Sequence, residues 1–157
     1  MTQEDKELLL KDLCSRLPYE VIGKCELDAS YDTSFDTIFQ THKFNAVVYG
    51  LKEESLFVFP LIEDMDEQEF ANEEVAHGID ILDFKPYLFP LSSMTEEQSK
   101  VYHELINGMF GTSALINFEV LTDFFNANHL DYRGLIKRGL AINATNLNIY
   151  YLGTVNK

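Results

Sequence analysis

The 157-residue sequence predicts an α+β fold, with an N-terminal helix on a small antiparallel sheet able to curl into a barrel, followed by a helical C-terminal part. Three observations predict it. Leucines at helical spacing fill the first segment, alternation of period two takes over from Tyr19, and helical spacing returns after the paired prolines of KPYLFPLSS. The expected division is a helix-plus-sheet unit over 1–90 and a helical unit over 91–157, packed together as one body.

Thr2 followed by Asp5 forms a capping box, with Asp in place of the usual Glu. Leu9, Leu13 and Leu17, helped by Leu10, make the apolar stripe of the helix, and Pro18 ends it. In VIGKCEL, Val21, Gly23, Cys25 and Leu27 share one face while Lys24 and Glu26 point away, as in a half-buried strand. SFDTIFQT aligns Phe35, Thr37 and Phe39, and a polar break at His42 and Lys43 separates it from another strand, FNAVVYGL. LFVFPLI is apolar on both faces, so it reads as a covered strand with Pro60 near its end, reached through a hairpin at KEES. GIDILDF resumes the alternation through Ile79 and Ile81, and KPYLFPLSS reads as a rigid connector out of the sheet.

The segment SSMTEEQSKVYHELING offers two capping boxes, Ser93 with Glu96 and Thr95 with Gln98. Its buried side is expected at Val101, Leu105 and Tyr102, and its end at Asn107 and Gly108. NFEVLTDFFNANH follows, with Asn117 as cap and Val120, Leu121, Phe124 and Phe125 as its stripe. LDYRGLIKRGLAI reads as a short helical turn broken by Gly134 and Gly139, and NLNIYYLGT as a final strand.

Bulk composition narrows the function classes. A hydrophobic fraction of 46% and an aromatic fraction of 13% describe an ordered chain that buries a core without metals or disulfides. A formal charge of −14 opposes direct binding to nucleic acid or anionic lipid, since both need clustered Lys and Arg, and it steers the chain towards basic protein surfaces. The opening MTQEDKELLLKDL carries Glu4, Asp5 and Glu7 where a secretion signal is basic, and no stretch approaches the ~20 apolar residues of a membrane span. Cys14 and Cys25, the only cysteines, do not make a disulfide framework, and both are expected to be buried and inert. Cytoplasmic residence is the expectation.

Two segments are candidate sites. The first is acidic. Glu63, Asp64, Asp66, Glu67, Glu69, Glu73 and Glu74 crowd a stretch between Lys52 and Lys85 that has no Lys or Arg, which suits a solvated loop and a contact surface for a basic partner. It is not an EF-hand, because Glu69 stands where the loop needs Gly and Val75 where it needs the bidentate Glu. The second is NANHLDYRGLIKRG, from Asn126 to Gly139, which holds two of the three arginines of the chain.

As an enzyme site that second segment would use His129 as base, Asp131 to orient it, and Arg133 to hold an anion. No nucleophile or metal motif accompanies them: G-x-S-x-G, H-E-x-x-H and paired ligand spacings are all missing, and His42, His77, His103 and His129 are dispersed. The structural reading is favoured. Asn128 and His129 terminate one helix, Asp131 caps the next turn, Tyr132 packs beneath, Arg133 pairs with a local carboxylate, and Lys137 and Arg138 complement a helix end or bridge to acids.

Three blocks, TQEDKELLLKDLCSRLPY, KPYLFPLSSMTEEQ and NANHLDYRGLIKRGLAINA, together resemble a family of small uncharacterised proteins of gut Bacteroides-type bacteria and their phages or mobile elements. The resemblance implies a cellular context and a shared fold. It carries no catalytic residue. The expected function is a non-catalytic binding or accessory role, with no cofactor and no metal. Two alternatives are an acidic mimic of nucleic acid that occupies a basic groove, and an enzyme with a pocket around His129 and Arg133.

Overall fold

A computed structural model describes residues 2–32, 37–52, 55–61, 77–108 and 114–149. Helix α1 spans Gln3–Arg16 and starts on the full capping box, in which the Thr2 hydroxyl accepts from the Asp5 N–H at 3.1 Å while the Asp5 carboxylate accepts from the Thr2 N–H at 3.1 Å. Leu9 and Leu13 are fully buried, which is worth roughly 2–3 kcal/mol each. Pro18 lies in a 3-10 turn over Leu17–Tyr19. Cys14, next to Leu13, turns out to face solvent, because one step along a helix rotates a side chain off the stripe. Cys25 is buried as expected, and burial, followed by the nearby Asp83 charge, pushes its thiol up to about 12, so it is not a nucleophile at neutral pH.

The strands are β1 (Val21–Asp32), β2 (Thr37–Lys52), β3 (Ser55–Pro60), β4 (His77–Asp80), β5 (Phe84–Leu88) and β6 (Ile142–Asn143). They lie in the order β4-β3-β2-β1-β5-β6, with every neighbour antiparallel except the β5–β6 pair, which is parallel. The sheet is therefore mixed and open rather than a barrel. Thr37–Lys52 is one strand, where a break at His42 and Lys43 was expected. These polar residues continue the ladder opposite Leu27 and Glu26, and a Lys43–Glu26 ion pair of 2.9 Å bridges the strands.

The prolines of FKPYLFP also mislead. Phe84–Leu88 is strand β5, with Pro86 opposite Gly23 in a ladder to β1 of three residue pairs. Gly23 is needed there, since a Cβ at that position would stand 2.4 Å from Phe84 Cζ and 2.5 Å from the Lys85 carbonyl oxygen. The alternation of GIDILDF stops at Asp80, whose carboxylate accepts from the Leu82 N–H at 2.9 Å and folds Ile81–Asp83 into a 3-10 turn.

One face of the sheet carries the main core. Val21, Cys25, Phe44, Ala46, Val48, Leu56, Val58, Ile79 and Phe84 meet Leu9 and Leu13 of α1, and Leu135 and Leu140 from the C-terminal half join the same cluster. On the other face, Ile22 and Tyr87 pack with Ala144 and Ile149. Val47 of β2 and Leu61 pack against this second cluster, while Tyr49 and Phe59 are 49% and 44% exposed. Among the described residues of LFVFPLI, Leu56 and Val58 are buried, Phe57 and Leu61 half-buried and Phe59 exposed, and Ile62 lies outside the described residues.

Helices α2 (Glu96–Gly108) and α3 (Ala114–Ala127) form a hairpin. The Thr95–Gln98 box caps α2, with N–H to side-chain distances of 2.9 and 3.2 Å. Leu121, Phe125 and Leu130 form the centre of this part, against Tyr102, Leu105, Ile106 and Phe124. Val101 and Val120, expected on the buried sides, are exposed. The last strand among the described residues is Ile142–Asn143; of NLNIYYLGT only residues 146–149 are described, where Ile149 is buried with Ala144 against Ile22 and Tyr87, and residues 150–154 lie outside the described residues. No helix among the described residues is long and apolar enough to cross a membrane.

Candidate functional site

The segment Asn126 to Gly139 sits against the C-terminal turn of α1. Helix α3 stops at Ala127, and His129 takes a left-handed φ of 51° that turns the chain. Asn128 closes the helix end by donating to the Phe124 carbonyl at 2.8 Å and accepting from Gln98 of α2 at 2.9 Å. The next residues run beside the end of β5: the Phe89 N–H donates to the His129 carbonyl and the Asp131 N–H to the Phe89 carbonyl, both at 2.8 Å. Asp131 then caps the following turn, accepting from the Leu135 and Ile136 N–H groups at 2.8 and 2.9 Å. Gly134 and Gly139, at φ of 74° and 72°, permit the two reversals that bring Leu135 and Leu140 into the core.

At the centre is a carboxylate between two guanidinium groups. Arg16 and Asp12 are both fully buried, joined at 2.7 Å between Nε and Oδ2. Arg16 also donates to the Leu130 carbonyl at 2.7 Å and to the Phe125 carbonyl at 3.5 Å, so it neutralises Asp12 and satisfies the end of α3 together. Arg133 approaches the same carboxylate, with Nε 3.2 Å from Oδ1, and lies over the Tyr132 ring at 4.7 Å. Tyr132 in turn stacks on Phe125 at 4.9 Å. Asn126 donates to the Ser15 carbonyl at 3.1 Å.

The periphery repeats the theme. Arg138 reaches back to α1, with Nη1 3.0 Å from Asp5 and Nη2 3.3 Å from Glu4. Hydrogen bonds from Thr2, and then from Arg138, hold the Asp5 carboxyl below its ordinary range. All three arginines of the chain, Arg16, Arg133 and Arg138, thus join α1 to the segment that follows α3. Lys137 is exposed.

The residues named from sequence are brought together, but as a joint. His129 and Asp131 stand on separate turns, and Asp131 spends both oxygens on backbone N–H groups. His129 is buried, and desolvation, followed by the Arg16 charge, pushes its imidazole down to about 4 against a weaker opposing effect of Glu20. An open concavity of about 580 Å³ runs along α2, lined among others by Thr95, Ser99, Lys100, His103 and Glu104, and by no residue of the 126–139 segment. There His103 Nδ1 is 2.6 Å from the Ser99 carbonyl oxygen, so the ring is tied to its own helix. Among the described residues no group of three or more His, Cys, Asp or Glu is arranged to hold a metal ion. The acidic stretch with Glu63, Asp64, Asp66, Glu67, Glu69, Glu73 and Glu74 lies outside the described residues. No family model, curated protein or solved structure matches the chain.

Sequence reasoning named Arg133 and missed its carboxylate. The signal was present, since Asp12 and Arg16 fall three and seven residues after Leu9, on the same helical face as Leu9 and Leu13. A charged pair on an apolar stripe marks a buried ion pair.

The buried imidazole makes stability depend on pH. His129 binds its proton near pH 6.5 in the unfolded chain and near 4 in the folded one, so between these values the unfolded state holds more protons and stability falls as pH falls. The interval corresponds to about 3 kcal/mol, fully present above pH 6.5 and lost on acidification towards 4. His129→Asn, with a residue suited to the left-handed backbone, is expected to flatten the wild-type slope between pH 6.5 and 4.5 in urea titrations followed by circular dichroism. Parallel curves for the two proteins would refute the assignment.

Proposed function

We propose that this chain is a non-catalytic binding protein that engages a protein partner through the aromatic outer face of β2 and β3. One observation carries the reading: Tyr49, Phe57 and Phe59 lie together on the face not covered by α1, with Tyr49 and Phe59 rings 4.6 Å apart and Tyr49 and Phe57 rings 6.0 Å apart. Exposed large aromatics are costly for solubility and are the side chains that anchor protein interfaces. Tyr49 stands at the register shift between Val48 and Gly50, where an irregular strand aims an extra side chain off the sheet. The formal charge of −14 favours a partner with a basic rim. The engagement of Asp131, Arg133 and Arg138 in internal contacts supports a role for the second segment in shaping the fold rather than in chemistry.

Affinity capture with the tagged chain tests this, comparing wild type with Tyr49→Ser/Phe59→Ser and with a variant carrying Glu67→Gln, Glu69→Gln, Glu73→Gln and Glu74→Gln. The expected result is a partner lost from the aromatic variant at all salt concentrations and weakened in the Gln variant mainly at low salt. Both aromatics are half exposed, so the double substitution is expected to change folding stability little. Identical partners captured by wild type and aromatic variant would overturn the reading.

A further inference from the structure

The α2–α3 hairpin has a core of its own. Leu121, Phe125 and Leu130 pack with Tyr102, Leu105 and Phe124, and none of these side chains belongs to the main cluster between the sheet and α1. Polar groups join the hairpin to α1. Arg16 donates to the Phe125 and Leu130 carbonyls at 3.5 and 2.7 Å, Asn126 donates to the Ser15 carbonyl at 3.1 Å, and the Tyr19 hydroxyl, past the end of α1, donates to the Asp123 carboxylate. Water can replace such partners at modest net cost. Asn126 also holds its Oδ1 buried with no hydrogen-bond partner among the described residues, which offsets part of what the joint contributes. Here one unit can leave while the others stay packed.

His129 lies on that boundary, two residues past the end of α3 and 6% exposed. In sequence it stands between the two carbonyls that Arg16 binds, which sets its ring beside a fully buried guanidinium. A proton on the ring adds a second buried positive charge there. The neighbouring groups offer little relief. Asp12 of α1 is already shared by Arg16 and Arg133, Asp131 accepts from the Leu135 and Ile136 N–H groups, and Asp123 of α3 is engaged by Tyr19. Glu20 does favour the charged ring, but it is exposed and water screens it. From β5 the nearby link is the neutral Phe89 N–H, bound to the His129 carbonyl at 2.8 Å. A charged imidazole is solvated only if the joint opens.

We propose that proton uptake by His129 unlatches the α2–α3 hairpin from α1 as a unit, with the sheet and α1 still folded. The two chain connections of the hairpin run side by side at the Phe89–Leu130 bridge, which serves as the hinge. The acid response is thereby confined to one part of the molecule instead of spread over the whole. It does not depend on the partner proposed for the aromatic face.

Hydrogen exchange of the full chain in low urea tests it, followed by mass spectrometry at pH 7 and pH 5 and corrected for the intrinsic pH dependence of exchange. At pH 7 the amides of α2 and α3 are expected to be less protected than those of β1 and β2 and to depend less steeply on urea, because a partial opening exposes less surface than unfolding does. From pH 7 to pH 5 the opening constant of the hairpin is expected to rise about twenty-fold, the ratio for a ring that binds its proton near 4 when closed and near 6.5 when open. His129→Asn is expected to remove most of that rise, and His103→Asn, at an exposed position of α2, to leave it intact. One protection level and one urea slope shared by hairpin and sheet in the wild type would mean that they open only together, and this overturns the inference whether or not the variants fold. An unchanged pH response in folded His129→Asn overturns it equally.

Discussion

Asp12→Ala is expected to lower the free energy of unfolding by about 3–5 kcal/mol, a large share of the stability of a domain this size. The reason is what it leaves behind. Arg16 is fully buried and would keep its charge with two carbonyl oxygens as partners, while Arg133 would lose the same carboxylate. The control is the double variant Asp12→Leu/Arg16→Met, which removes both buried charges and is expected to recover most of the loss, because a packed apolar pair replaces an ion pair at little net cost. Urea denaturation followed by circular dichroism reads both, and tyrosine emission serves as a second probe in a chain without tryptophan. A cost below about 1 kcal/mol for the single variant would mean that water reaches Arg16 and that the pair is not buried.

Gly23→Ala is the second large effect, expected at about 3 kcal/mol or more, at the upper end of overpacking costs. Its Cβ would meet the Phe84 ring at 2.4 Å and, more decisively, the Lys85 backbone oxygen at 2.5 Å. A ring can rotate, but the backbone contact can be relieved only by separating β5 from β1. Phe84→Leu is therefore expected to rescue Gly23→Ala only in part. Gly50→Ala supplies the comparison: its Cβ would meet Phe57 Cβ at 3.9 Å, an ordinary contact, and is expected to be nearly neutral. Equal costs at positions 23 and 50 would exclude close packing of the strands as the cause.

These two positions also show where sequence reading succeeds and where it stops. The α+β class, α1 and its capping box, and the capping by Asp131 follow from short-range rules, since each depends on residues within five positions of one another. Strand β5 escaped because Pro86 reads locally as a breaker, and its acceptance depends on Gly23, more than sixty residues earlier in the chain. The link from Asp12 to Arg133 escaped for the same reason, although the Asp12–Arg16 pair on the leucine stripe of α1 is legible locally. A carboxylate in α1 and an arginine after α3 share no local pattern, and the Arg133 contact becomes visible only when the fold brings them to 3.2 Å. Val101 and Val120 show the converse failure, in which a correct helical period still leaves open which side of the helix finds a neighbour.

The contacts made by the arginines also bear on the order in which the molecule assembles. Arg16 reaches a carbonyl 114 residues away and Arg138 a carboxylate 133 residues away, so these bonds cannot form until loops of that length have closed. The β1–β2 pairing and the α2–α3 hairpin join neighbours in sequence and carry no such entropic delay. The joint is therefore expected to lock late, after the transition state, with φ-values near zero for substitutions at Asp12. Weakening it at Asp12 should leave the folding rate nearly unchanged and appear almost wholly as faster unfolding, so that a buried ion pair between the two ends of the fold sets how long the native state lasts once formed.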